Sequence, residues 1–151
     1  MEQIDPVKAA AVWQRVHSTG QPRQDTQELP GLIRETLMNA AAYLQLSRQL
    51  SRSQAVLRQL SRQEQSQAAC LKGLYLLLTG EQPVFHTPRL TPESTEAALR
   101  RCWEREINCL AQYEARSANT QYAMVFSQLA KQKREHCLQL LELLGNLKQH
   151  R

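Results

Sequence analysis

The sequence predicts an all-α protein whose core is a four-helix bundle. Apolar residues recur every three or four positions in four long segments, the spacing of one face of an α-helix. Glycine and proline interrupt helices, and the 151 residues contain only five and six of them. Most of these lie at positions 20–31 and 80–92. The 42% hydrophobic content allows a chain of this length to bury one core.

Ahead of the bundle, residues 1–27 are expected to form a short helix and a linker. Pro6 suits the first position of a helix that would end near residue 17, because proline tolerates that position. The polar stretch 18–27 contains a glycine and a proline and is typical of a linker. The predicted organisation is therefore an N-terminal helix with its linker over 1–27 and a bundle over 28–151.

The first two long helices are expected over residues 28–50 and 54–79. The inner face of the first carries Leu32, Ile33, Leu37, Ala40, Tyr43, Leu44 and Leu46. That of the second carries Leu57, Leu60, Glu64, Gln67, Ala68, Leu71, Tyr75 and Leu78. Gly80 is well placed to end the second helix, since glycine readily adopts the left-handed conformation of a helix C-terminus.

The third helix is expected to begin at Thr91-Pro92-Glu93, and the fourth to follow a break near 117–120. The inner face of the third carries Leu99, Cys102, Trp103, Glu106, Cys109, Leu110 and Tyr113. That of the fourth carries Tyr122, Val125, Phe126, Leu129, Lys133, His136, Leu140, Leu143 and Leu147.

The lengths of the connections predict the helix directions. Short turns join the first helix to the second and the third to the fourth, so each pair should be antiparallel. The link 80–92 has about 13 residues and can reach roughly 43–47 Å when extended. A 25-residue helix is about 38 Å long. The link can therefore cross the bundle and let the second and third helices run parallel, which is the ferritin-like arrangement.

Each helix places a polar side chain within its apolar stripe. The expected inward residues are Glu35, Glu64, Gln67, Glu106, Lys133 and His136. Unpaired buried charges are costly, so several of them in one bundle should meet each other or a metal ion. The set could therefore be a metal cage or a cluster of ion pairs.

These residues resemble the ferritin-like superfamily, in particular small rubrerythrin-like bacterial proteins, over roughly residues 28–147. The resemblance rests on four features: Glu64-x-x-Gln67 followed by Ala68 and Leu71, Glu106 seven residues before Tyr113, Phe126-x-x-Leu129 before Lys133-x-x-His136, and Leu78-Thr-Gly-Glu-Gln-Pro83 after the second helix. The resemblance implies a pair of iron or manganese ions and the handling of peroxide, oxygen or stored iron. The chain has no Cys-x-x-Cys module of the rubredoxin type.

Carried over position by position, the resemblance implies metal ligands at Glu64, Glu106 and His136. Gln67 stands where a histidine ligand is expected, and Lys133 where a bridging glutamate is expected. In the first helix the expected glutamate falls on Thr36, with Glu35 one residue away. This chain therefore departs from the family pattern at half of its ligand positions.

Lys133 decides between a metal cage and a cluster of ion pairs. A charged ammonium has no lone pair to bind a metal, and it puts a positive charge where a divalent cation would lie. We therefore expect a vestigial or altered site and no cofactor. Iron, manganese or zinc on Glu64, Glu106 and His136 is the alternative, which would require Lys133 to move away or lose its proton.

The four cysteines, at positions 70, 102, 109 and 137, are expected to be reduced and mostly buried in helices. They form no Cys-x-x-Cys pair and fit no standard zinc spacing, so a Cys/His zinc site is the weaker interpretation. Reduced thiols, together with the lack of a signal-peptide pattern, favour a cytoplasmic location.

The net charge of +5 is spread along all the helices. A solvated surface explains this distribution better than nucleic-acid binding does, and no apolar run is long enough to span a membrane. The leading hypothesis is a non-catalytic or regulatory bundle that acts through its surface or as a homo-oligomer, with an unknown protein partner. The alternatives are a rubrerythrin-like metalloprotein with an altered site and a basic helical nucleic-acid-binding protein.

Overall fold

The computed structural model describes residues 21–86, 88–118 and 121–147, with side chains described from residue 27 onward. These residues form four α-helices and one short 3-10 turn, and no β-strand occurs among them, which confirms the all-α prediction. The helices are α1 (Gln21–Gln49), α2 (Gln54–Thr79), α3 (Thr95–Arg116) and α4 (Ala123–Gly145). The 3-10 turn Ser51–Ser53 joins α1 to α2. The short helix expected near residues 6–17 lies outside the described residues.

Two helix starts differ from the sequence prediction. Helix α1 begins at Gln21, so residues 21–27 are helical where a linker was expected. Pro22 lies in the first turn, where a missing N–H does no harm, and α1 continues through Pro30. Helix α3 begins at Thr95 rather than near Thr91, because Ser94 forms the N-cap and accepts a hydrogen bond from the backbone N–H of Ala97 at 3.1 Å.

Gly80 ends α2 as predicted, with a positive φ of 74°. Its backbone N–H donates to the carbonyl of Leu76, which satisfies one of the last carbonyl groups of the helix. None of the helices in the described ranges is long and apolar enough to cross a membrane.

The core has an apolar layer at each end of the bundle. One layer brings together the end of α1, the starts of α2 and α3 and the end of α4. The other brings together the start of α1, the ends of α2 and α3 and the start of α4. Helices α2 and α3 therefore run in the same direction, and each is antiparallel to α1 and α4, as the link length predicts. Helix α1 packs against α2 and α3, and α3 packs against α4.

Candidate functional site

A layer of polar side chains lies between the two apolar layers. Each helix contributes to it at the middle of its buried face, one or two turns from the apolar residues on either side. The members are between 0% and 2% exposed. We call this set the buried polar layer: Thr36, Asn39, Glu64, Gln67, Glu106, Lys133 and His136.

Lys133 is the central cation of this layer. Its Nζ lies 2.8 Å from both carboxylate oxygens of Glu64 and 3.2 Å from Oε1 of Glu106. All three side chains are fully buried. The ammonium therefore joins the carboxylates of α2 and α3 from its place on α4, as expected for a cluster of ion pairs.

His136 is the second cation. Its Nδ1 lies 3.0 Å from Oε1 of Glu64 and 3.4 Å from Oε2 of Glu106, and its Nε2 lies 2.7 Å from Oε1 of Gln63. Both ring nitrogens face oxygen atoms, an arrangement that suits an imidazolium, which donates from both of its nitrogens. With both carboxylates ionised, the two cations make the cluster electrically neutral.

Helix α1 contributes differently from the sequence prediction. Glu35 does not join the cluster: its side chain is 43% exposed and pairs with Arg105 at 3.5 Å. The next residue, Thr36, faces inward, and its hydroxyl donates to the carbonyl of Leu32 at 2.8 Å. One turn later, the amide of Asn39 donates to Oε1 of Glu106 at 2.7 Å. The prediction for Glu35 is wrong because successive helical residues point about 100° apart.

The two carboxylates have opposite pKa shifts. Burial and the charge of Glu106 together raise the pKa of Glu64 to about 7, although the charge of Lys133 opposes both. Burial also disfavours the ionised form of Glu106. The hydrogen bond with Glu64 and the charges of Lys133 and His136 nevertheless outweigh burial, and hold the pKa of Glu106 well below its usual range. Glu106 is therefore the firmly ionised partner.

Both cations hold their protons more tightly than usual. Burial alone would lower the pKa of Lys133, but the charges of Glu64 and Glu106 raise it above its ordinary value. Burial also disfavours protonated His136, yet its hydrogen bonds to the same two carboxylates raise its pKa to about 9. The arrangement therefore stabilises the protonated, charged forms of Lys133 and His136 within the protein interior.

Some polar atoms of this region have no hydrogen-bond partner among the described residues. They are both amide atoms of Gln67, Oε2 of Glu106 and the hydroxyl of Tyr113. The hydroxyl of Tyr43, by contrast, donates to Oε1 of Glu106 at 3.3 Å. Buried polar groups are usually paired, so the layer has a well-bonded part around Lys133 and a poorly bonded part around Gln67.

The donor set does not fit a pair of metal ions. Glu64, Glu106 and His136 offer three ligand atoms within 4.8 Å of one another. The ammonium of Lys133, however, lies against both carboxylates, and helix α1 supplies Thr36 and Asn39 in place of a carboxylate. Two divalent cations need several carboxylates for charge compensation, whereas this layer already contains two cations for its two acids.

The cysteines do not form a metal site in the described ranges. Cys102, Cys109 and Cys137 are buried as predicted, whereas Cys70 is exposed. Burial raises the thiol pKa of both Cys102 and Cys109 to about 12 and that of Cys137 to about 11. These buried, protonated thiols pack in the core as small apolar side chains.

His136 also marks the place where the layer approaches the surface. A polar groove of about 220 Å³ between α2 and α4 is lined by Gln63, Ser66, Gln132, Glu135 and His136, among others.

Sequence reasoning missed Asn39 and Gln63 as partners of the cluster. Asn39 could have been found, since it lies one turn after Thr36 on the inner face of α1. Compared with models of known protein families and with curated proteins, the chain matches none.

Proposed function

We propose that this protein is a non-catalytic or regulatory helical bundle of the ferritin-like type, in which a buried ionic cluster replaces a di-metal site. The helix directions and the midpoint position of the polar layer support the ferritin-like assignment. Under this proposal the bundle acts through its surface, as a homo-oligomer or with a protein partner.

One observation supports the loss of metal chemistry above all others. The ammonium of Lys133 lies 2.8 Å from both oxygens of Glu64 and 3.2 Å from Glu106, where it provides the positive charge that these acids need. It has no lone pair with which to bind a metal. A metal ion would have to displace a cation whose pKa is raised by those same acids.

The alternative is a metalloprotein with one altered site. It is favoured by the close approach of donor atoms from Glu64, Glu106 and His136. The amide of Gln67 in the same layer also has no hydrogen-bond partner within the described part of the chain. Zinc, iron or manganese would be the candidate ions for oxygen, nitrogen and carboxylate donors.

Metal analysis separates the two proposals. We expect protein purified without chelators, and then incubated anaerobically with Fe²⁺ or Mn²⁺, to retain far less than one equivalent and to show negligible ferroxidase or peroxidase turnover. Nearly two equivalents per chain would overturn the leading proposal, and one tightly bound ion would favour the alternative.

A gain-of-binding variant provides the matched comparison. Gln67→His with Lys133→Glu rebuilds both Glu-x-x-His pairs. Because Glu35 points away, Thr36→Glu should be added to supply the carboxylate from α1. We expect the triple variant to bind more iron than the wild-type chain. Equal binding by the two proteins would contradict the role given to Lys133.

A further inference from the structure

A second concave site lies outside the buried polar layer. It is a groove of about 260 Å³ between α1, α3 and the segment 88–94 that leads into α3. Water occupies about 30 Å³ per molecule in the liquid, so the groove has room for about nine water-sized groups. This is the size of a small organic molecule rather than of a macromolecular segment.

The groove is apolar at its base. Ala42 and Leu46 of α1, Leu90 of the link and Ala98 of α3 line it, and Ala42 and Leu46 are buried. Leu90 and Ala98 pack against the apolar layer at this end of the bundle. These side chains can cover a short hydrocarbon or ring without disturbing the core.

The rim of the groove carries an excess of positive charge. Arg89, Arg101 and Arg105 line it together with one acid, Glu93. Glu93 pairs with Arg101 at 2.8 Å, and that arginine side chain is 62% exposed. With Glu35, which pairs with Arg105, included, three guanidinium groups face two carboxylates, and the remaining positive charge attracts an anion. The planar fork of arginine suits a carboxylate because it can donate two parallel hydrogen bonds.

Arg105 is the best-placed anchor of the three. Its side chain is only 21% exposed, and its contacts are weak: Nε lies 3.5 Å from Glu35, and Nη1 donates to Oδ1 of Asn39 at 3.3 Å. Glu35 is itself 43% exposed, so this ion pair is easily exchanged for a better acceptor. Asn39 orients the guanidinium and also bonds Glu106, so the groove and the buried polar layer share one side chain.

We propose that this groove binds a small amphipathic carboxylate. The carboxylate binds Arg105 with help from Arg89 and Arg101, and the apolar part packs against Leu46 and Leu90. The excess of arginines on the rim repels a cationic ligand, and the apolar base gives a fully hydrated anion no partner.

The test uses hexanoate as the probe, with hexanamide as its neutral counterpart and inorganic phosphate as an anion without an apolar part. We expect hexanoate to bind with a Kd on the order of 1–10 mM, as is usual for a ligand with so few atoms. NMR titration of the full chain should shift the side-chain signals of Arg105 and Asn39. Hexanamide and phosphate should each bind at least about tenfold more weakly.

Four variants locate the site. Arg105→Gln should weaken hexanoate binding about tenfold, whereas Arg100→Gln, at an exposed position of the same helix outside the groove, should leave it unchanged. Ala98→Leu should block binding by filling the base while keeping every charge. Glu35→Gln should strengthen binding about two- to threefold, because it removes the competing acceptor.

Circular dichroism and urea unfolding of each variant establish that it is folded before its affinity is compared. Equal binding of hexanoate by the wild-type, Arg105→Gln and Ala98→Leu proteins would overturn the proposal. So would binding of phosphate as tight as that of hexanoate. Because Arg105 and Ala98 lie outside the proposed di-metal positions, these results do not depend on the outcome of the metal analysis.

Discussion

The two parts of the buried polar layer both place polar groups in the protein interior, but they differ in how completely those groups are paired. Around Lys133, the two carboxylates and two cations bond one another at 2.8–3.4 Å. Both amide atoms of Gln67, and the hydroxyl of Tyr113 in the adjoining apolar layer, lack hydrogen-bond partners among the described residues. Both parts are almost fully buried, so exposure does not explain the contrast.

The difference lies in what each part requires. Two acids and two bases can neutralise each other without any added group, so the charges of the Lys133 part balance, and only Oε2 of Glu106 lacks a hydrogen-bond partner there among the described residues. An amide and a phenol need partners with matching geometry, and the two polar residues that α1 brings to the layer already bond elsewhere: Thr36 to its own helix, and Asn39 to Glu106. We infer that the layer depends on its ion pairs, so that removing one of their members lowers the free energy of unfolding. The groups around Gln67 contribute little to that free energy.

The largest expected effect is the loss of Lys133. Lys133→Met keeps the apolar stem but leaves Glu64 and Glu106 buried without their main cation. We expect it to lower the free energy of unfolding by about 3 kcal/mol in urea melts. Lys131→Met, at an exposed position of the same helix, should change stability by less than about 0.5 kcal/mol. Equal stability of the two variants would contradict the importance of the ion pairs.

The next largest effect is a loss of stability as the pH rises. The pKa of His136 is about 9 in the folded chain against an ordinary 6.5, so its contribution is complete below pH 6.5 and is lost as the pH rises through 9. The pKa of Glu64, raised by burial from 4.5 to about 7, acts in the same direction between those values. The lowered pKa of Glu106 acts oppositely, since its contribution is lost as the pH falls below about 4.5.

The free energy of unfolding should therefore be highest near pH 5 and decline towards pH 9. For His136 alone we expect a loss of roughly 2–3 kcal/mol between pH 6.5 and 9. His136→Gln should flatten this part of the profile, while His86→Gln, at an exposed histidine outside the cluster, should retain it. A profile unaffected by His136→Gln would show that the imidazole is not bound to the carboxylates.

The smallest expected effect is the difference in stability between Tyr43→Phe and Tyr113→Phe. Both are 0% exposed, but among the described residues only the hydroxyl of Tyr43 has a hydrogen-bond partner, Oε1 of Glu106 at 3.3 Å. Tyr43→Phe should cost about 1 kcal/mol, whereas Tyr113→Phe should cost less than about 0.5 kcal/mol or be stabilising. Thermal or urea unfolding measures both. A larger loss at Tyr113 would reverse the contrast drawn between the two parts of the layer.

Helical periodicity was sufficient to predict most of the cluster. Glu64, Glu106, Lys133 and His136 all lie within strong apolar stripes, and a side chain flanked by core residues one turn away on both sides must itself face the core. The link length also predicted the parallel course of α2 and α3. These features depend on backbone geometry alone, so they can be obtained without knowing any contact.

The errors arose where periodicity was weak. In α1 the stripe is broad, and Glu35 was placed within it although Thr36 lies nearer its centre. The start of α1 was misplaced because Pro22 was interpreted as a helix breaker, yet proline is well tolerated in a first turn. Partners such as Gln63 depend on side-chain rotamers, which the sequence pattern does not determine.

The ammonium of Lys133 is the central cation of the buried polar layer. The most direct measurement is ¹H–¹⁵N NMR of the lysine ammonium groups as a function of pH, with Lys133→Met to assign the signal. We expect a protected, hydrogen-bonded ammonium that is still protonated at pH 10.5, where an ordinary lysine is half deprotonated. A Lys133 signal that titrates below pH 10.5, or that exchanges as fast as those of exposed lysines, would contradict it.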